Sequence, residues 1–207
     1  NIRQILPIAI HRNLMRSNLQ YIMMRKAILS LILALTGCSN ALISQSSSTL
    51  AIKSLGLDQH VLYANCPTIV CTDGFANEGD IWLTDIPLEN LRSGDINKGQ
   101  IIHLQIMWTP AAGKTPLAST STNLVIKHVI VSDGQTGVYG GGGYCMPKGT
   151  PSTGLDIYIE EATIALQDYS PQFEDLLTPA TMVGKVRSTP NKRIANLIAA
   201  ATQRLTQ

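Results

Sequence analysis

The chain has 207 residues, 44% of them apolar, enough for one domain with a buried core and inconsistent with general disorder. Its formal charge of +2 conceals two regions of opposite sign. Residues 1–37 carry Arg3, Arg12, Arg16, Arg25 and Lys26 and no acid, which leaves 11 Lys and Arg against 14 Asp and Glu in residues 38–207, a formal charge of −3. That balance lacks the clustered cations a phosphate backbone requires, so nucleic acid is not expected as a partner.

The first element in the chain is a leader. Met23-Met24-Arg25-Lys26 is a short basic stretch, and Ala27 to Leu35 is a compact apolar run broken only by Ser30. Thr36-Gly37-Cys38 follow, small residues of the kind a signal peptidase accepts. Basic, then apolar, then small is the order of a secretory signal. The apolar run is well short of the ~20 residues that a permanent membrane helix needs. Residues 1–22 lie upstream of Met23 and Met24, the favoured starts, and read as a gene-model artefact or as a long basic extension of the leader.

Leu35-Thr36-Gly37-Cys38 resembles the lipobox of bacterial lipoproteins. That resemblance implies a diacylglycerol on the Cys38 thiol, cleavage before Cys38 and a third acyl chain on the freed amine. Ser39, standing where a retained lipoprotein would carry Asp, implies passage to the outer membrane. The expected partners are therefore the membrane, through the lipid, and an envelope protein or polymer.

After the anchor, residues 38–51 are rich in Ser and uncharged, the composition of a flexible linker. A single β-rich domain is expected over residues 52–207. Residues 100–108 alternate, with Ile102, Leu104, Ile106 and Trp108 on one face and Ile101, His103, Gln105 and Met107 on the other. Residues 124–131 form a β-branched, nearly continuous run suited to a central strand. Asp133-Gly134 follows at once, the dipeptide of a type I′ hairpin, with residues 136–140 returning antiparallel. Residues 155–166 give another strand, bulged near Glu160-Glu161 where the alternation slips by one. Residues 182–187 are short enough for an edge strand. A short helix is expected over 173–177, with Ser170-Pro171 as its cap and first residue. A clear amphipathic helix is expected over 191–205, where Ile194, Leu197, Ile198, Ala201 and Leu205 repeat at helical spacing. The fold class is mainly β, an antiparallel sandwich or sheet with a C-terminal helix laid on it, with α+β as the alternative. The block 82–147 also resembles uncharacterised exported bacterial proteins, which implies no function.

Candidate chemistry is sparse. Gly113-Lys114-Thr115 invites a phosphate-loop reading, but Trp108 stands where the first glycine must bend the backbone, and Pro116 ends any following helix. No nucleotide is expected. Gly140 to Gly143 lacks a dinucleotide context and reads as a bulge or close backbone packing, or as a shallow binding surface between Tyr139 and Tyr144. Trp82 and Trp108 are further candidates for such a surface. His103, His128 and Asp133 are the first suspects for catalysis, with the two histidines on strands that could be neighbours. They carry no His-x-x-x-His or Cys-x-x-Cys spacing, so no metal or cofactor is expected. Cys66, Cys71 and Cys145 are disulfide candidates in an oxidising compartment, with Cys66–Cys71 favoured over a bond to Cys145. The expected function is a non-enzymatic, membrane-anchored binding or structural module. An anchored hydrolase of envelope polymers, or a small-ligand carrier using Trp82, Trp108 or Tyr144, are the alternatives.

Overall fold

A computed structural model describes residues 45–56, 59–73, 78–111 and 121–207. The leader, Cys38 and Ser39 lie outside the described residues, as do Gly113, Lys114 and Thr115. The folded unit spans Ser44–Gln207 and is mainly β. Its strands are β1 (Ser47–Ser48), β2 (Ala51–Ser54), β3 (Val61–Tyr63), β4 (Thr68–Thr72) and β5 (Gly79–Thr84). Helix α1 (Leu88–Ser93) follows, then β6 (Gly99–Ile106), β7 (Leu124–Ser132), β8 (Gln135–Thr150), β9 (Gly154–Tyr169), β10 (Ala180–Arg187), β11 (Thr189–Pro190) and helix α2 (Lys192–Leu205). Among the described residues, no helix is long and apolar enough to cross a membrane.

The strands make one sheet in the order β11-β4-β5-β6-β7-β8-β9-β10-β2-β3, with β1 also on β10. Among the described residues every pairing is antiparallel except β11 with β4. β10 and β11 are separated by Ser188 alone, yet they belong near opposite ends of that order. The sheet therefore curls until its edge strand β11 lies against the start of β9. Ser188 extends the β9–β10 ladder up to that point: its hydroxyl donates to Leu155 O at 2.8 Å while accepting from Leu155 N–H at 3.3 Å.

The β6–β7–β8 meander follows from its sequence. Alternation in β6 sends Ile102, Leu104 and Ile106 inward and fully buries them. Asp133 and Gly134 take φ of 51° and 76°, so both central residues of the turn are left-handed and Ser132 pairs directly with Gln135. β8 and β9 then run together over almost their whole lengths. Tyr144 faces Glu161 but Cys145 faces Ile159, so Glu160 is the extra residue of the expected bulge.

The glycine run of β8 is a place of close approach. A methyl on Gly141 would lie 1.9 Å from the backbone oxygen of Thr163 on β9, a position no side chain can share.

The described residues form two apolar cores. The inner one fills the curl with side chains such as Ile52, Ile81, Leu104, Ile126, Ile159 and Met182. The outer one lies between the sheet and the helices, where Val70, Trp82 and Ile101 meet Ala195, Ile198 and Ala201 of α2. Asn191 caps α2, its Oδ1 accepting from Ile194 N–H at 3.1 Å, and Arg204 in the last turn donates to Leu91 O at the end of α1.

Three local expectations differ from the structure. The folded unit starts within the stretch read as linker: Ser47–Ser48 pair with β10, and Leu50 is buried. An uncharged Ser-rich stretch can be extended as easily as flexible when a partner strand is available. Residues 182–187 lie within a central strand, because β9 takes one side of β10 and β1 and β2 take the other. Residues 173–177 form no helix. Ser170 N–H instead donates to Thr136 O, and Phe173 N–H turns back to Ser170 O. The Ser-Pro signal marks a tight turn here, held by contacts to β8.

Candidate functional site

Polar side chains gather at three places in the sheet. On its outer face, Asp80 and Trp82 alternate along β5, and Trp82 stands directly across from His103 of β6. The His103 imidazole lies flat on the Trp82 indole, with ring centroids 3.8 Å apart and planes within 6°. Its Nε2 is 3.0 Å from Asp80 Oδ1, and the side chains of His103 and Asp80 keep 20% and 16% of their exposure. An ionised carboxylate only accepts, so it sets the proton of the neutral ring on Nε2 and leaves a lone pair on Nδ1. This is a solvent-reachable imidazole fixed by a carboxylate and an aromatic face, with Lys127 across from it on β7.

The second cluster lies inside the curl. His128 Nε2 is 3.0 Å from Gln100 Oε1, and Gln100 is held by Asp85, whose Oδ1 accepts from its backbone N–H at 2.7 Å. Gln100 Oε1 can only accept, so the His128 proton also sits on Nε2, and Nδ1 is a buried lone pair that has no partner among the described residues. Burial pushes the His128 pKa down to about 3, which keeps the ring neutral at ordinary pH. Beside it, Tyr139 donates from its hydroxyl to Asp175 Oδ1 at 2.8 Å and packs edge-on to Phe173. Burial first, and the Asp175 carboxylate second, push the Tyr139 hydroxyl pKa up. Burial alone would raise the Asp175 pKa. The N–H of Leu177, the Tyr139 hydroxyl and Thr178 all donate to this carboxylate, and together they hold it below the usual range. Asp175 thus ties residues 170–178 over the inner core.

The third cluster is built on Asn123, which is fully buried at the start of β7. Its Nδ2 donates to Trp108 O at 3.0 Å and to Cys145 O at 2.9 Å, and its Oδ1 accepts from Cys145 N–H at 2.8 Å. One carboxamide thereby joins the chain after β6 to β8 at the bulge. Trp108 and Tyr144 meet edge to face nearby, with centroids 6.3 Å apart, and both are half-buried.

The sequence-based candidates do not converge. β6 and β7 are neighbours, but His103 pairs with Lys127 and His128 pairs with Ile102, so the two histidines point to opposite faces of the sheet. Asp133 is exposed in the hairpin turn, away from both. Of the four aromatic candidates for one binding surface, Trp82 lies under α2, Tyr139 is inside the curl, and only Trp108 and Tyr144 touch.

The Cys66–Cys71 bridge is absent. Cys66, Cys71 and Cys145 are three free, buried thiols. Residues 68–72 are extended in β4, and an extended chain advances ~3.3 Å per residue, so it carries Cys71 away from Cys66 beyond the ~6 Å Cα separation of a disulfide. Burial, with the Asp85 charge, pushes the Cys66 thiol up to about 12, and burial alone does the same for Cys145. Both stay as unreactive thiols.

Sequence reasoning missed Asp80, Gln100, Asn123 and Asp175. Only Asp80 had a readable signal, because the Gly-Asp-Ile-Trp-Leu-Thr alternation puts it on the same side as Trp82. Among the described residues, no group of three or more His, Cys, Asp or Glu is placed to hold a metal ion. No protein-family model matches the chain, and no curated protein or solved structure matches it either.

Proposed function

We propose that this chain is a lipid-anchored envelope protein, held at the outer membrane through acyl chains on Cys38, whose β-rich unit serves as a non-enzymatic binding or structural module. The single observation that carries the reading is the order of residues 23–38: a basic stretch, an apolar run, then Leu35-Thr36-Gly37-Cys38. Each buried methylene contributes ~0.8 kcal/mol and one chain alone binds marginally, so two or three chains on Cys38 give a lasting tether. The dense filling of the curl by Ile, Leu and Met side chains favours a module that works from its surface over a carrier that works from its interior.

Growth with radiolabelled palmitate tests the anchor. The wild-type chain takes up label and fractionates with membranes, whereas Cys38→Ala loses the label and appears in the soluble fraction. Undiminished labelling of Cys38→Ala would refute the reading.

A further inference from the structure

We infer that the outer wall made by β9, β10, β2 and β3 rests on the surface of the lipid bilayer, an inference that depends on the lipid anchor proposed above. The wall carries large apolar side chains in the open: Tyr63 and Val61 on β3 are 63% and 46% exposed, Tyr158 on β9 41%, and Val183 on β10 40%. Register puts them side by side. Tyr63 faces Ala51 and Ala51 faces Val183, which makes one row across β3, β2 and β10. Tyr158 faces Lys185 two residues along β10, and the Lys185 ammonium lies 5.7 Å from the centre of its ring. The opposite wall, β4 and β5, has its apolar outer face covered by α2, whereas these side chains of β3, β9 and β10 stay open.

Two observations assign the bilayer as its occupant. The chain enters the folded unit on this wall, because Ser47 pairs with Arg187 of β10 and Thr49 N–H donates to Lys185 O. Eight residues separate Cys38 from Ser47, and nine extended steps span no more than about 30 Å, so an acylated Cys38 keeps β10 close to the lipid. The chemistry also fits an interface, where tyrosine rings and long lysine stems sit with their polar ends in water. Charge does not drive the contact. Lys53 and Lys185 are offset by Glu160 and Glu161 on the same side, and Asp156 and Arg187 neutralise each other at 3.0 Å. The contact is apolar and persists at high salt.

The test uses the lipidated full chain in vesicles of phosphatidylethanolamine and phosphatidylglycerol, with an environment-sensitive fluorophore on Val183→Cys or, as control, on Arg193→Cys of α2. The native thiols Cys66, Cys71 and Cys145 are buried and do not compete for the label. At Val183 the vesicles shift the emission to the blue and reduce quenching by aqueous iodide severalfold. At Arg193 they change neither, and adding Tyr63→Ser and Tyr158→Ser returns the Val183 probe to the control value. Equal quenching at both positions, in a chain that still floats with the vesicles, overturns the docked wall and leaves the anchor standing. A chain that carries no acyl group and does not float overturns the anchor itself. Shielding of Val183 in the absence of vesicles assigns the wall to a second copy of the chain and overturns the bilayer as occupant.

Discussion

Replacing Asn123 by alanine removes one side chain and strands three backbone groups. In the folded chain its carboxamide satisfies the carbonyls of Trp108 and Cys145 and the N–H of Cys145, at 3.0, 2.9 and 2.8 Å. A buried polar group left without a partner costs about 1–3 kcal/mol. Cys145 is fully buried, so its two groups bear that full cost, whereas Trp108 lies near solvent and water repays part of the third. The total is about 3–5 kcal/mol, a large share of the ~5–15 kcal/mol that holds a domain folded. With an m-value of about 2 kcal/mol/M, the urea midpoint falls by roughly 2 M at unchanged slope. Asn123→Asp does no better. It keeps an acceptor for Cys145 N–H but sets a carboxylate against two carbonyl oxygens. Equilibrium urea unfolding followed by tryptophan fluorescence measures both. A loss below about 1 kcal/mol for Asn123→Ala, with m unchanged, would refute the view that this residue clamps β8 to the chain after β6.

His128 makes stability depend on pH. Its folded pKa, about 3, lies below its ordinary value of 6.5, so the unfolded chain takes up the proton first and stability falls with pH below 6.5, by up to about 1.4 kcal/mol per unit. His128→Gln flattens the urea midpoint between pH 6 and pH 4; an equally steep fall in that variant would clear His128 of the effect. Titration with a thiol reagent finds Cys66, Cys71 and Cys145 unreactive in the native chain and all three reactive in urea without reductant; two fewer would reveal a bridge. Gly141→Ala, with its methyl 1.9 Å from Thr163 O, prevents folding or costs more than about 3 kcal/mol. Gly94→Ala, at φ 85° in open space, costs only about 1 kcal/mol, and similar losses for the two would contradict the packing argument.

The parts of the fold that were legible are those whose signals are local. The alternation of β6, the Asp133-Gly134 turn, the slip at Glu160-Glu161 and the helical repeat of α2 each state their own geometry within a dozen residues. β4 was hidden because Thr68–Thr72 is short and contains Cys71, whose spacing from Cys66 suggested a bridged loop. The place of β10 was hidden for a different reason. Its sequence reads as a short strand, and only pairing with β1 and β2, more than a hundred residues earlier, makes it central. At residues 170–178 the local signal was present but was outcompeted: Ser170 is committed to Thr136 and Asp175 to Tyr139, both on β8.

The same division explains why the candidate site was misread. Alternation within β6 already put His103 opposite Ile102 and Leu104, but whether His128 shared its side depended on the register between β6 and β7, which no local pattern encodes. That register gives two histidines, 25 positions apart, contrary fates. His128 is sealed inside the curl, its proton directed to Gln100 and its ring held neutral by burial. His103 stands on the outer face, aligned by Asp80, backed by Trp82 and still open to solvent. His128 therefore serves the packing of the unit, and of these two rings it is His103 that can meet a proton or a ligand from outside.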